Sequence, residues 1–345
     1  MIQYSKSRLF VLNMFTSAIW LIAAVALLSS CDQKKAGVFK EARTSMYTIV
    51  TITVVSDSAE RAHKAIEESY SELDRLAGLL NFYDDKSELS SINRLAGIAP
   101  VKVSGETLSI IEKSVHISKM TEGAFDVTVG TLVKLWDMKK QIVPEKRIID
   151  KTRKSVGYRN IVTDRTASTV FIRKKGASID LGGILKGYAA DRVVDILRHN
   201  GIKSGIAAIG GEVRAFGRRP DGQPWVVGIQ NPRQKGASDE IIATVEISDK
   251  AMSTSGDYNK YFEKNGRRYH HLIDPKTGYP SRRCGSATVI ADDATTSDGY
   301  SKLFILGPEK GIVVAKNAGF DVIFIDCNGK VSMTDNIKER IKFTK

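Results

Sequence analysis

The chain has 345 residues, 42% of them hydrophobic, which is enough to bury a substantial core and excludes a disordered tail. Its formal net charge is +13, with Lys and Arg scattered rather than gathered on one helix. That basicity suits a membrane surface and an anionic ligand, and the scatter of the basic residues argues against the competing reading, a nucleic-acid partner.

Lys6 and Arg8 precede a mostly apolar run over residues 9–28, which closes on Leu28-Ser29-Ser30-Cys31. This reads as a secretory signal peptide, residues 1–30, ending at a lipobox. Small residues before Cys31 fit a signal peptidase, and the Cys31 thiol is the nucleophile that accepts diacylglycerol. A membrane-spanning helix is the competing reading, because the run approaches the ~20 residues that cross a bilayer. Asn13, Thr16 and Ser17 interrupt it. More than one acyl chain on Cys31 gives stable anchoring, and Asp32 matches a signal for retention in the inner membrane. The expected location is therefore the periplasmic side of the inner membrane, lipid-anchored. Residues 31–43 are polar and read as a tether, and 44–345 as the folded domain. Cys284 and Cys327 are too few for a disulfide framework and are either two thiols or one bridge.

Alternation of β-branched residues predicts a strand over 47–55. Ser56-Asp57-Ser58 then offers an N-cap for a helix carrying Ala62, Ile66, Tyr70, Leu73 and Leu76 at helical spacing. A second helix is predicted over 106–120. Strands follow around 169–172, 206–209, 225–230, 241–247 and 322–325, with helices around 187–198, 298–306 and 308–318. Strands and helices intersperse without a regular β-α-β period, so the fold class is α+β.

Several Gly-rich segments lie beside charged residues. In Asp180-Leu181-Gly182-Gly183-Ile184-Leu185-Lys186-Gly187-Tyr188 a strand is expected to feed a glycine turn and then a helix that opens with Lys186. Helix N-terminal amides and a lysine make an anion site. The segment is neither a Walker A loop nor a dinucleotide G-x-G-x-x-G, and a purely structural turn explains it equally well. Gly210-Gly211-Glu212 permits close approach of backbone by a ligand or by packing. Ser253-Thr254-Ser255-Gly256-Asp257-Tyr258 offers hydroxyls and a carboxylate. His270 and His271 are adjacent in a strand, so at most one faces a given site, which argues against a two-histidine metal site.

In this order, and together with Ser87-Glu88-Leu89-Ser90-Ser91-Ile92-Asn93, Gly123-Ala124-Phe125-Asp126-Val127-Thr128-Val129-Gly130 and Pro224-Trp225-Val226-Val227-Gly228-Ile229-Gln230, these segments resemble the ApbE family, the FAD:protein FMN transferases. The resemblance spans roughly residues 45–307. It implies mixed, T-fold-like sheets with packed helices and an FAD cleft between two lobes. It implies that Met46, Tyr83, Ala124, Phe125, Asp126, Asp180, Lys186, His271 and Leu272 line the FAD site. It further implies Mg²⁺ held by the carbonyl of Gly183 and by an Asp and a Thr one helical turn apart, the Asp matching Asp298.

The implied reaction is attack of an acceptor Ser or Thr hydroxyl on the FMN-side phosphorus of FAD, with AMP leaving, a reaction governed by positioning and charge neutralisation. His271 is the expected base and Asp257 the second candidate. Acceptors are expected among subunits of membrane redox complexes. Two departures stand out. Lys302 occupies the threonine position, and a protonated lysine has no lone pair for Mg²⁺, so Ser301 is the substitute hydroxyl, or Lys302 replaces the ion, or it turns to solvent. Tyr47 replaces glycine in a Met-Gly-Thr motif and either narrows the flavin pocket or stacks on the ring. An FAD pyrophosphatase and a non-catalytic FAD-binding lipoprotein remain as alternative functions.

Overall fold

The computed structural model describes residues 36–233 and 240–344; Cys31, the expected signal peptide and the first part of the expected tether lie outside them. Strands are numbered β1 to β16 and helices α1 to α8 in chain order. The centre is an eight-stranded antiparallel sheet of β1 (Gly37–Ser45), β2 (Thr48–Ser56), β6 (Ser204–Ile209), β7 (Glu212–Phe216), β10 (Ala251–Gly256), β13 (Ser286–Ala291), β14 (Asp321–Ile325) and β15 (Val331–Met333), adjacent in that order. Strand order thus follows chain order across the whole sheet, with helices and small sheets inserted as excursions. The folded body begins at Gly37, so residues 37–43 are an edge strand paired with β2 and not a tether.

One face of the sheet is covered by helices. α1 (Ala59–Leu79) starts where the Ser58 hydroxyl accepts the Arg61 N–H and presents Ala62, Ile66, Tyr70, Leu73 and Leu76 at helical spacing to Val50, Ile52 and Val54 of β2. α2 (Glu88–Arg94), α3 (Gly105–Met120), α6 (Leu185–His199) and α7 (Ala294–Ser301) contribute to the same core. The other face packs through Met252, Ile290, Ile323 and Ile325 on a three-stranded sheet of β8 (Trp225–Gln230), β9 (Ile241–Ile247) and β16 (Ile341–Phe343). Period-two alternation along β10, β13 and β14 feeds both cores, so these strands are buried on both sides.

The remaining elements are β3 (Val101–Lys102), β4 (Ile161–Asp164) and β5 (Thr169–Ile172) in one small sheet, the hairpin β11 (Tyr261–Lys264) and β12 (Arg267–His270), and helices α4 (Gly130–Val133), α5 (Lys146–Thr152) and α8 (Pro308–Ala318). The expected α+β class, sheets with packed helices, is present, and every pairing between the named strands is antiparallel. Gly37–Lys345 is one compact unit, so the two expected lobes are not separate units. Among the described residues no helix is long and apolar enough to cross a membrane.

Candidate active site

No regular strand precedes the glycine turn. Ser178 makes an isolated bridge to Val129, and the Asn93 side-chain amide takes the place of a neighbouring strand by accepting from Ile179 N at 2.7 Å and donating to Ile179 O at 2.9 Å. Asp180 Oδ1 then accepts the Gly182 N–H at 2.8 Å, which bends the chain into α6. Burial raises the Asp180 carboxyl above its ordinary range. Asp126, expected among the FAD contacts, is buried and serves its own loop. Its oxygens accept from Thr128 N, Thr128 Oγ1 and Tyr158 N at 2.6–2.9 Å. Phe125 and Ala124 are buried behind the turn, the Phe125 ring lying 3.3 Å from where a Cβ on Gly183 would sit.

The first turn of α6 rests directly on α7. A Cβ on Gly187 would lie 2.1 Å from Ala294 O, so only glycine lets the two backbones meet there. α7 begins four residues earlier than the sequence suggests, because Asp293 caps Thr296 N while Asp191 accepts from Ala294 N, Thr295 N and Thr295 Oγ1. This places Asp298 in the middle of a buried helix at 0% exposure. Its Oδ2 accepts the Gly187 N–H at 3.0 Å and its Oδ1 accepts from Lys302 Nζ at 2.6 Å. Lys302 Nζ also reaches Asp298 O at 3.0 Å and Ser301 Oγ at 3.2 Å. On the sheet side, Lys186 Nζ pairs with the carboxylate of Glu212, which is 3% exposed. Four formal charges, Lys186, Glu212, Asp298 and Lys302, therefore cluster beside the glycine turn, the two carboxylates buried and the two ammonium groups partly exposed.

Their electrostatics are coupled. Burial pushes the Glu212 carboxyl up, with Asp298 adding to the shift and Lys186 opposing it. Burial also works against ionised Asp298, but the ammonium groups of Lys302 and Lys186 outweigh it and hold its carboxyl below the ordinary value. Lys186 is raised despite its own burial by Glu212 and Asp298, and stays protonated.

The residues expected to hold Mg²⁺ do not fit that ion. Mg²⁺ takes oxygen ligands in near-octahedral array, yet both Asp298 oxygens are engaged. Ser301 Oγ donates to Asp298 O at 2.7 Å and pairs with Ser255 Oγ, also at 2.7 Å. The Lys302 ammonium is bonded to Asp298 Oδ1 and contacts Ser301 Oγ, two of the groups expected to serve as ligands. Among the described residues there is no group of three or more His, Cys, Asp or Glu that could hold a metal.

Of the two histidines, His270 is fixed in the fold: Nδ1 accepts from Leu272 N at 3.2 Å and Nε2 lies 2.6 Å from Ser281 O. Leu272 itself is buried in the main core. His271 is half-buried, and its Nδ1 contacts Lys260 O at 3.3 Å. A ring nitrogen facing a carbonyl carries the proton, so Nε2 is left with the lone pair. Burial, followed by His270, pushes the imidazole down to about 3, with Lys302 among the further contributors, so the ring is neutral at physiological pH.

Asp257 does not suit the role of base. Its carboxylate is gripped bidentately by Arg233 at 2.7 and 2.9 Å and is 3.6 Å from Arg268. The hydroxyls of Ser253 and Ser255, read as ligand donors, are buried and paired with Ser297 and Ser301 of α7, locking that helix to β10. Cys284 is buried and Cys327 exposed, and both are free thiols.

At the rim, Met46 and Tyr47 both adopt positive φ, 50° and 60°, in the two-residue turn between β1 and β2. Tyr47 is 80% exposed and its hydroxyl accepts from Asn81 Nδ2 at 3.2 Å, close to Tyr83, which is 72% exposed. A left-handed conformation costs a side-chain-bearing residue roughly 1–2 kcal/mol, and the two-residue turn imposes it on both Met46 and Tyr47. We predict that Tyr47→Gly keeps or slightly raises the unfolding temperature while weakening FAD binding about 2- to 10-fold, the worth of one aromatic stack. Unchanged affinity in a flavin fluorescence titration would exclude the stack.

The model of the ApbE family matches residues 46–324. An FAD:protein FMN transferase of Haemophilus influenzae is 31% identical over 345 residues, covering 95% of this chain and 98% of its own length. One of the same name from Vibrio cholerae is 33% identical over 332 residues, with 93% and 96% covered. Among solved structures, the ApbE protein of Thermotoga maritima aligns with a TM-score of 0.81 at 33% identity, over 88% of this chain and 99% of that one. The apo flavinyl transferase ApbE of Pseudomonas stutzeri gives 0.78 at 30% identity, over 88% and 97%.

Proposed function

The chain belongs to the ApbE family, and on that premise we infer that it is an FAD:protein FMN transferase, moving the FMN half of FAD onto a hydroxyl of an acceptor protein. The observation that carries this reading into the chemistry is the meeting of Lys186, the α6 N-terminus and the Asp298–Lys302 pair at one glycine turn.

In the reaction, the acceptor oxygen forms a bond to the FMN-side phosphorus, the bond from that phosphorus to the bridging oxygen breaks, and AMP departs with the released electron pair. The hydroxyl proton passes to a base. Positive potential from Lys186 and from the helix N-terminus favours the charge that builds on phosphate oxygens. His271 is our choice of base, because its Nε2 carries a lone pair throughout the physiological range. A bound diphosphate beside it would raise its basicity toward the useful range. Met46, Tyr83, Ala124, Phe125, Asp180 and Leu272 are proposed to frame the flavin and its phosphates, with Asp126 holding the frame in shape.

Incubation with FAD and a Ser/Thr acceptor tests this reading. A fluorescent acceptor that survives denaturation, with one AMP per flavin, is the expected result. Free FMN and AMP would mark a pyrophosphatase, and intact FAD a carrier.

We further propose that Cys31 is lipidated and holds the enzyme on the periplasmic face of the inner membrane, near membrane redox-complex subunits as acceptors. The support is the sequence Leu28-Ser29-Ser30-Cys31-Asp32. Cys31→Ala should move the protein out of the detergent-extracted membrane fraction or leave its signal peptide uncleaved. A processed, membrane-bound variant would refute the anchor.

A further inference from the structure

We propose that the Lys302 ammonium is the resident cation of this site, so that the protein binds FAD and transfers FMN without a divalent metal. The proposal rests on the functional reading above and concerns how that site neutralises its diphosphate.

Three observations lead to it. The ammonium is fixed: Lys302 Nζ has Asp298 Oδ1 at 2.6 Å, Asp298 O at 3.0 Å and Ser301 Oγ at 3.2 Å, and the side chain is only 14% exposed. It also borders the anion turn, since its Cε lies 3.1 Å and its Nζ 3.8 Å from where a Cβ on Gly183 would stand. The end of the Lys302 side chain and the Phe125 ring thus both crowd the same side of Gly183.

The third observation is charge balance. Lys186 and Lys302 against Glu212 and Asp298 sum to zero without any ion. With an uncharged residue at 302, the same pocket would hold one net negative charge beside an incoming diphosphate, and a cation would be required. With Lys302 in place, a divalent ion would enter against an ammonium a few ångströms away and compete for an Asp298 carboxylate whose two oxygens are already taken. The ammonium's hydrogen bonds all go to protein, so it acts on the diphosphate through its charge. Lysine is suited to that use as a compact point charge.

The test uses the full chain in detergent. FAD binding is followed by quenching of flavin fluorescence in EDTA and in millimolar Mg²⁺, and Mn²⁺ binding to the protein alone by electron paramagnetic resonance. Wild type should bind FAD with the same affinity within twofold in both conditions, transfer FMN in EDTA, and leave Mn²⁺ free. Lys302→Thr should bind FAD at least tenfold more weakly in EDTA and recover in Mg²⁺, whereas Lys302→Met should lose affinity in both.

A tenfold loss of wild-type FAD affinity in EDTA that Mg²⁺ restores, or stoichiometric Mn²⁺ binding, would overturn the proposal while leaving the transferase reading intact. These arms need no variant to fold. Failure of wild type to bind FAD in either condition would instead remove the reading of the site, and the proposal with it.

Discussion

Lys186→Met should lower kcat/KM for FMN transfer by about 10²- to 10³-fold, the usual loss when one preorganised group facing transition-state charge is removed. The same substitution strands Glu212, which is 3% exposed and has Lys186 as its ion-pair partner. Leaving one partner of a buried pair alone costs about 3–5 kcal/mol, so lost activity alone would not separate chemistry from folding. The double variant Lys186→Met, Glu212→Gln removes both charges and should regain most of the unfolding temperature while transfer stays low. Steady-state transfer kinetics and a thermal melt on the same samples check both halves. Recovery of activity in the double variant would mean that Lys186 serves only to neutralise Glu212.

Gly187→Ala should be nearly as damaging for a different reason. The added methyl would lie 2.1 Å from Ala294 O and 2.7 Å from Asp298 Cβ, both in or against the α7 backbone, and neither can yield without separating the helices. Overpacking of this kind costs about 3 kcal/mol, on the order of 5–10 °C in melting temperature for a chain of this size. Separation also breaks the Gly187 N–H bond to Asp298 Oδ2, so transfer should fall together with stability. Gly78, the second-last residue of α1 with nothing within 4 Å of an added Cβ, is the control. There alanine should stabilise by about 0.5–1 kcal/mol through lower backbone entropy cost. Equal melts for the two variants would contradict the close approach of α6 and α7.

The contrast between those glycines shows where sequence patterning is informative. Elements with a strong local signal were legible: the capping segment Ser56-Asp57-Ser58 and apolar stripe of α1, the β-branched run of β2, and the helix after the glycine turn, which opens one residue before Lys186. β1 was hidden because an edge strand with half-exposed alternation, Gly-Val-Phe-Lys-Glu-Ala-Arg-Thr-Ser, has the composition of a linker. β10 was hidden because its Ser and Thr side chains, buried by pairing with Ser297 and Ser301 of α7 and with Thr288 of β13, look like surface residues in a sequence.

The residues that organise the site through distant contacts left no periodic trace. Asn93 clamps Ile179 across 86 positions, Asp191 caps α7 across 103 and 104, and Glu212 was visible only as the neighbour of two glycines. Conversely, Asp257 and Asp126 carried the right functional group for chemistry, and only three dimensions reveal that Arg233 and loop amides already hold them.

The central claim is that the glycine turn, Lys186 and α7 serve one diphosphate, and a structure of the full chain with FAD bound tests it most directly. The account predicts the two phosphates over Gly182 and Gly183, with Lys186 Nζ within hydrogen-bond reach and the flavin ring toward Tyr47 and Tyr83. Phosphates lodged elsewhere, with Lys186 still closed on Glu212, would contradict it.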